Sequence, residues 1–96
     1  MTYDVKIWHK TAAEINGLPP KTRRIIHDAI GRLGEDPYPG RGGDKEKLVL
    51  RGGVIIYRLH IARTWTAFYN IDEASKRVLV EEVLTIEQAH KKYDRI

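Results

Sequence analysis

One short stretch of the chain places two cationic side chains of different chemistry on the same side of a strand. In "YRLHI", residues 57–61, apolar side chains alternate with Arg58 and His60. Successive side chains of a strand point to opposite faces, so Arg58 and His60 are expected to share the polar face. Arginine stays charged and matches phosphate oxygens with two donors, whereas histidine gains and loses a proton near neutral pH. The pair could therefore hold a phosphate and move a proton beside it.

Cleavage of RNA through its 2′-hydroxyl uses this combination of groups. The reaction needs a proton acceptor, a cation that stabilises the phosphorane, and a proton donor for the leaving oxygen. Arg58 suits the second role, and His60 suits the first or the third. An exposed basic sheet face without any chemistry is the alternative, and the spacing does not decide between the two. His27 lies near the apolar stripe of a predicted helix and is expected to pack rather than to react.

Composition limits the class of protein. The 96 residues suit one domain, residues 1–96, and 17 Lys and Arg against 13 Asp and Glu give a net charge of +4. A basic surface favours a polyanion or an acidic protein partner. No apolar run is long enough to cross a bilayer, no secretory signal is recognisable, and there is no cysteine, so we expect a cytoplasmic protein. The four histidines show no metal-ligand spacing, so neither metal nor cofactor is expected.

Helical signals fill the first half of the chain. Residues 2–8 alternate as a strand, and Thr11 and Glu14 form a Thr-x-x-Glu capping box, which predicts that a helix opens there. Pro19-Pro20 suits the entry of a second helix. The two helices are expected to form a hairpin over residues 11–34. Its apolar stripe consists of Ile26, Ala29, Ile30 and Leu33.

Strand signals fill the second half. Glycine, proline and charge mark residues 35–46 as a loop, and a second capping box, Thr85 with Gln88, predicts a short final helix. Between them lie extended runs at 47–50, 54–61, 64–71 and 77–84. The order predicts an α+β fold with an N-terminal strand, a helical hairpin, an antiparallel meander of three to four strands and a short C-terminal helix.

Strand alternation also predicts what each face of the sheet carries. The core face is expected to hold Tyr3, Val5, Ile7, Ile55, Tyr57, Leu59, Trp65, Ala67, Tyr69 and Ile71. The opposite, more exposed face is expected to present Arg58, His60, Thr66, Phe68 and Asn70.

Several motifs together resemble the RelE/ParE toxins of bacterial and archaeal toxin–antitoxin systems. "LPPKTRRIIHDAIGRLGEDPYP" is similar to the family's helical hairpin with its Leu-Pro entry, and "EKL" to the Lys-Leu before its central sheet. "YRLHI" and "FYNID" are similar to two of its strands, and Tyr93 to its tyrosine near the C-terminus. The resemblance covers nearly the whole chain and implies the fold described above.

The resemblance also implies an activity. RelE-like members cut mRNA in the ribosomal decoding site with basic residues of the central strands and a C-terminal tyrosine. It therefore implies catalytic roles for Arg58, His60 and Tyr93, an acidic antitoxin, the ribosome and mRNA as partners, and no membrane. Further basic residues are expected to bind RNA: Lys47, Arg51, Arg63, His90, Lys91 and Lys92.

Departures from the family pattern keep other functions open. Thr66, Glu87 and Ala89 stand where RelE-like members carry arginines. One reading is ribosome-dependent mRNA cleavage that inhibits translation. The second is a ParE-like toxin that binds a protein target such as gyrase, and the third is a non-catalytic basic domain that binds RNA or protein. In the first two, an antitoxin helix is expected to dock in an apolar groove, with Trp8 as a possible anchor.

Overall fold

The chain folds as a strand, a helical hairpin, four further strands and a final helix. The computed structural model describes residues 2–40 and 42–93, and for Tyr93 it describes the backbone alone. The elements are β1 (Asp4–Ile7), α1 (His9–Asn16), α2 (Pro20–Gly31), β2 (Lys45–Val49), β3 (Ile55–Ile61), β4 (Trp65–Asp72), β5 (Arg77–Thr85) and α3 (Ile86–Tyr93). Short 3-10 turns follow α2 and β2, at Arg32–Gly34 and Arg51–Gly53. The predicted α+β fold is confirmed.

The five strands form one sheet in the order β1-β5-β4-β3-β2. Strands β2 to β5 are an antiparallel meander, as the sequence predicts, and β1 adds to β5 in parallel. A parallel pair needs a long connection between its strands, and here that connection is most of the chain. Strands β1 and β2 are therefore the two edges of the sheet.

Helices α1 and α2 cover one face of the sheet, which we call the hairpin face. Its core contains Ile15, Ile26, Ala29, Ile30, Leu33, Leu59, Ile61, Ala67, Tyr69, Val78 and Val80. The predicted strand parity of "YRLHI" is confirmed, because Leu59 and Ile61 are buried there and Tyr57 packs against the same cluster. Ile55 was expected in this core but is exposed, since it opens β3 opposite the exposed Val49 at the sheet edge.

The opposite face, which we call the α3 face, is partly covered. Helix α3 folds back on it, and Ala89 packs in a second cluster with Leu48, Ile56 and Phe68. Phe68 and Thr66 were expected on an exposed face, and both are buried. The prediction was wrong for them because strand alternation assigns a face but does not reveal that a distant helix covers it.

The two predicted capping boxes have different outcomes. Thr85 and Gln88 cap α3 reciprocally, with Gln88 N donating to Thr85 Oγ1 at 3.1 Å and Thr85 N donating to Gln88 Oε1 at 3.0 Å. The prediction of a capping box at Thr11 was wrong, because α1 begins at His9 and Trp8 occupies the N-cap position. The buried Thr11 instead donates its hydroxyl to the carbonyl of Glu81 in β5, at 2.5 Å. A tertiary contact thus replaces the local cap.

Candidate functional site

Arg58 and His60 lie on the α3 face and share one partner, Glu46 of β2. Glu46 directly opposes Arg58 in the β2–β3 ladder. Its Oε1 accepts a hydrogen bond from Arg58 Nη2 at 2.8 Å and lies 3.1 Å from His60 Nε2. The side chains of Arg58 and His60 are 24% and 34% exposed. The structure therefore brings together the two predicted residues and adds a carboxylate that the sequence reading missed.

Glu46 was missed because residues 35–46 read as a loop. Strand β2 begins at Lys45, two residues before the predicted start, so Glu46 belongs to the sheet. A signal was present in the sequence, since Glu46 precedes Leu48 by two positions and a strand puts both on one face. Lysines on both sides of Glu46 are typical of an edge strand, where charge discourages pairing with other chains.

Electrostatics keep Glu46 ionised. The hydrogen bond from Arg58, and then that from His60, lower the pKa of Glu46 below the ordinary value of a glutamate, against the opposing effect of burial. An ionised carboxylate can only accept hydrogen bonds, so the His60 Nε2 that faces it is assigned the proton. In a neutral ring, His60 Nδ1 is then the acceptor. Glu46 thus fixes the tautomer of the candidate acid–base group.

Arg58 has one buried donor without a partner among the described residues. Its Nε is buried and has no hydrogen-bond partner within the described part of the chain. An unpaired buried donor typically costs about 1–3 kcal/mol. Arg58 opposes Glu46 on one side and Phe68 on the other, which holds the guanidinium against the sheet. Nη2 is bonded to Glu46, so a phosphate that binds this guanidinium has to displace that carboxylate.

The other basic candidates are spread around the molecule. Lys47 opposes Tyr57, so it lies on the hairpin face rather than beside Arg58. Arg51 is exposed in the turn after β2, and Arg63 is exposed in the turn between β3 and β4. On α3, His90, Lys91 and Lys92 are exposed, and Lys92 Nζ bonds Glu82 Oε1. Tyr93 ends α3, and its side chain lies outside the described residues.

The positions that depart from the family pattern have structural reasons. Thr66 is buried and donates its hydroxyl to the carbonyl of Leu59 at 3.3 Å, and Ala89 is buried on the side of α3 that packs against the sheet. A cation at either position would be removed from water. Glu87 is exposed in the first turn of α3, where the helix dipole favours a carboxylate. His27, expected to pack, is instead exposed on α2.

A metal site and a membrane-spanning helix were both looked for among the described residues. Within 2–40 and 42–93, no group of three His, Asp or Glu side chains could hold a metal ion. No helix among those residues has the length and apolar character to cross a membrane.

Comparison with solved structures identifies the fold. The RelE–RelB complex of the archaeon Pyrococcus horikoshii matches with a TM-score of 0.72 and 24% identity, over 88% of this chain and 96% of that one. The toxin–antitoxin complex RelBE2 of Mycobacterium tuberculosis matches with a TM-score of 0.68 and 20% identity, over 88% and 99%. A mutant of the E. coli toxin RelE in the free state matches with a TM-score of 0.61 and 19% identity, over 98% and 93%. No protein-family model and no curated sequence matches the chain. The chain has the RelE-like toxin fold.

Proposed function

We propose that this protein is the toxin of a toxin–antitoxin pair and that it cleaves RNA in a site formed by Glu46, Arg58 and His60. One observation carries the proposal: a charged guanidinium and an imidazole converge on one carboxylate, on a sheet with the RelE-like toxin fold. The cluster contains an anion binder and an oriented acid–base group, which 2′-hydroxyl cleavage requires.

Each group has a defined part in the reaction. Arg58 binds the scissile phosphate with its guanidinium in place of Glu46, and it stabilises the charge that develops on the phosphorane. His60 Nδ1 accepts the proton of the 2′-hydroxyl, whose oxygen attacks the adjacent phosphorus. The bond to the 5′-oxygen breaks, that oxygen takes a proton from water, the protonated His60 returns its proton to the solvent, and a 2′,3′-cyclic phosphate remains. Glu46 holds the ring of His60, and Tyr93 stacks on or orients a base.

The substrate is mRNA on the ribosome, and the consequence is inhibition of translation in the cytoplasm. The cluster provides few catalytic groups, so the geometry of the RNA has to be supplied from outside. The ribosome holds mRNA in a defined conformation and so supplies the orientation that such a site lacks. The basic residues Arg63, His90 and Lys91, all exposed, are available for contacts with RNA phosphates.

Programmed ribosomes test this proposal. The wild type is expected to cut the mRNA, and the Arg58→Ala, His60→Ala double variant is expected to leave it intact. His27→Ala is the matched control, because His27 is an exposed histidine far along the chain on α2. Equal cleavage by wild type and double variant, or no cleavage by either, would contradict the nuclease function.

A toxin that binds a protein target is the second candidate. The observation in its favour is the burial of Thr66 and Ala89, which leaves no room for charge where RelE-like members have arginines. Induction of the gene separates the two functions. Arrest of translation is expected for the nuclease, whereas arrest of DNA replication would support a gyrase-like target. If neither translation nor DNA replication stops, the result would support a non-catalytic binding domain.

The partner we propose is an acidic antitoxin that docks at Trp8. Trp8 is 46% exposed and lines a groove of about 360 Å³ with Phe68 and Leu79. Lys10 Nζ lies 6.0 Å from the Trp8 ring centroid, so a cation flanks the aromatic side chain. Glu81 and Glu82 line the same groove. An antitoxin segment that fills it therefore needs an apolar anchor with a lysine or arginine beside it, although the antitoxin as a whole is acidic.

A further inference from the structure

Strand β5 contains a bulge beside the groove that we assign to the antitoxin. The β4–β5 ladder pairs Phe68 with Glu82, and its next step pairs Tyr69 with Val80, so Glu81 has no partner in the ladder. An extra residue of this kind interrupts the alternation of a strand and can re-aim a side chain. Glu81 and Glu82 both line the groove, although consecutive residues of a regular strand face opposite sides of the sheet. The bulge therefore places two carboxyl-bearing residues along one wall.

The two glutamates differ in how far their charges are already compensated. Glu82 Oε1 bonds Lys92 Nζ of α3, and Glu82 Oε2 is buried without a hydrogen-bond partner in the described part of the chain. The backbone carbonyl of Glu81 accepts the hydroxyl of Thr11. Its carboxylate makes no hydrogen bond or ion pair to any residue within 2–40 and 42–93. Glu81 therefore offers the groove the less compensated charge.

The rest of the groove is apolar and aromatic. The half-exposed indole of Trp8 forms one wall, and Phe68 and Leu79 contribute apolar surface. A cation that enters such a groove loses part of its water, which costs less for the weakly hydrated guanidinium than for an ammonium group. A guanidinium can also stack on an aromatic ring while its edge donates to a carboxylate. The combination suits an arginine side chain.

The glutamates form a negative spot on a basic protein. The chain carries a net charge of +4, and on the α3 face Glu82 and Arg58 oppose Phe68 from the two neighbouring strands. General attraction between a basic and an acidic protein does not distinguish one acidic partner from another. A local charge of the opposite sign does, because it repels a partner that presents a carboxylate there. The spot is therefore placed to fix the choice and the orientation of a partner.

We propose that Glu81 and Glu82 select the antitoxin by admitting an arginine, which stacks on Trp8 beside the apolar anchor of the docking segment. An acidic side chain at the same position would be repelled by the glutamates, and so would an RNA phosphate. A lysine would keep the charge but lose the planar fork. The inference rests on the proposed function, because it takes an acidic antitoxin to dock at Trp8.

Small probes test the preference of the groove without the antitoxin. N-acetyl-arginine amide and its neutral isostere N-acetyl-citrulline amide are titrated into the folded protein and followed by the indole N–H signals in NMR. The arginine probe is expected to shift the Trp8 signal and to bind about five- to tenfold more tightly than the citrulline probe. Trp65 packs on the hairpin face, so its signal should stay in place and report an intact fold.

Neutral variants identify the residues that carry the preference. Glu81→Gln should remove most of the preference for the arginine probe. Glu82→Gln should remove less of it, because Lys92 already compensates part of that charge. Glu35→Gln, at an exposed position that follows α2 on the other side of the sheet, is the matched control and should behave as the wild type.

Charge reversal tests the selection of the antitoxin itself. Glu81→Arg makes the toxin more basic, so general attraction predicts tighter binding of an acidic partner. We expect instead that binding of the cognate antitoxin, measured by surface plasmon resonance, weakens at least tenfold. Glu35→Arg changes the net charge by the same amount and should bind no more weakly than the wild type.

Failure of the arginine probe to shift the Trp8 signal would overturn the inference, and so would equal affinity for the two probes. Unchanged or tighter antitoxin binding by Glu81→Arg would overturn it as well. Self-association of the protein alone that Glu81→Arg abolishes would assign the groove to a second copy of the chain instead. Failure of the proposed function is distinct from these outcomes, because cleavage on ribosomes and antitoxin binding by Trp8→Ala decide it.

Discussion

Glu46 and Arg58 face each other across the β2–β3 ladder, and their side chains bond at 2.8 Å on the face that we assign to RNA. A carboxylate is therefore already bonded to the guanidinium that a phosphate has to bind. Substrate binding at this site is an exchange of one anion for another. The exchange makes Glu46 a determinant of both affinity and proton transfer.

Removing the charge of Glu46 is expected to separate these two effects. Glu46→Gln should raise the affinity for inorganic phosphate about two- to fivefold, because a partly exposed ion pair no longer competes with the ligand. The same change should slow cleavage, because His60 loses its ionised acceptor. Isothermal titration calorimetry with phosphate measures the affinity, and cleavage on ribosomes measures the rate. Glu14→Gln, on the exposed surface of α1, is the control. Unchanged phosphate affinity would show that Glu46 does not occupy the anion site.

The shape of the Arg58 side chain is expected to matter as well as its charge. Arg58→Ala should reduce the cleavage rate by roughly 100- to 1000-fold, the typical cost of losing one electrostatic contact to the transition state. Arg58→Lys should lose less, since lysine keeps the charge but not the fork. Single-turnover cleavage measures the difference. A lysine variant that cleaves as fast as the wild type would argue against a bidentate phosphate contact.

His60 is expected to set the pH dependence of cleavage. His60→Ala should flatten the pH–rate profile near neutrality, because no other group of the cluster exchanges a proton there. His27→Ala, at an exposed position, should keep the wild-type profile. Rates measured between pH 5 and 9 with saturating ribosomes provide the comparison. A profile that keeps its shape without His60 would assign the proton transfer to another group.

Acid is expected to destabilise the fold through Glu73. Glu73 bonds Lys76 and accepts hydrogen bonds from the hydroxyls of Tyr38 and Tyr3, which lower its pKa from 4.5 to about 2. A depressed folded-state pKa stabilises the protein above the unfolded-state value, and this contribution is lost as pH falls from about 4.5 to 2. Urea unfolding midpoints should drop over that range, and less steeply in Glu73→Gln. Parallel curves for wild type and variant would contradict the assignment.

Trp8 is expected to anchor the antitoxin. Trp8→Ala should weaken antitoxin binding by about 2 kcal/mol or more if the indole is the central contact of the interface. Because the side chain is 46% exposed, folding should be little affected. Tyr38→Ala, at another exposed aromatic residue, is the comparison for binding. Surface plasmon resonance with the cognate acidic protein measures the loss. Equal binding by the Trp8→Ala and Tyr38→Ala variants would show that Trp8 is not the anchor.

Local patterns predicted the elements and the strand parity. Leu59 and Ile61 alternate with Arg58 and His60, and the hairpin face enforces that parity because a shift of one residue would bury both cations. The cap at Thr85 was predictable because its partner, Gln88, is three residues away.

Contacts between distant parts of the chain were not predictable in this way. Thr11 has the same capping signature as Thr85, yet its hydroxyl bonds a carbonyl in β5. The burial of Phe68 depends on Ala89 of α3, which no alternation within β4 reveals. Glu46 was hidden because a charged edge strand resembles a loop when its partner strand is unknown.

The parallel pairing of β1 with β5 has a consequence for synthesis. Thr11 bonds Glu81 across 70 residues of sequence, and among the described strands β1 pairs with β5 alone. Contacts of such long range are slow to form and come late. A nascent chain that ends before β5 contains Glu46, Arg58 and His60 but has neither the partner of β1 nor the apolar side chains Val78 and Val80. Interrupted translation products should therefore remain unfolded and harmless to the cell that makes them.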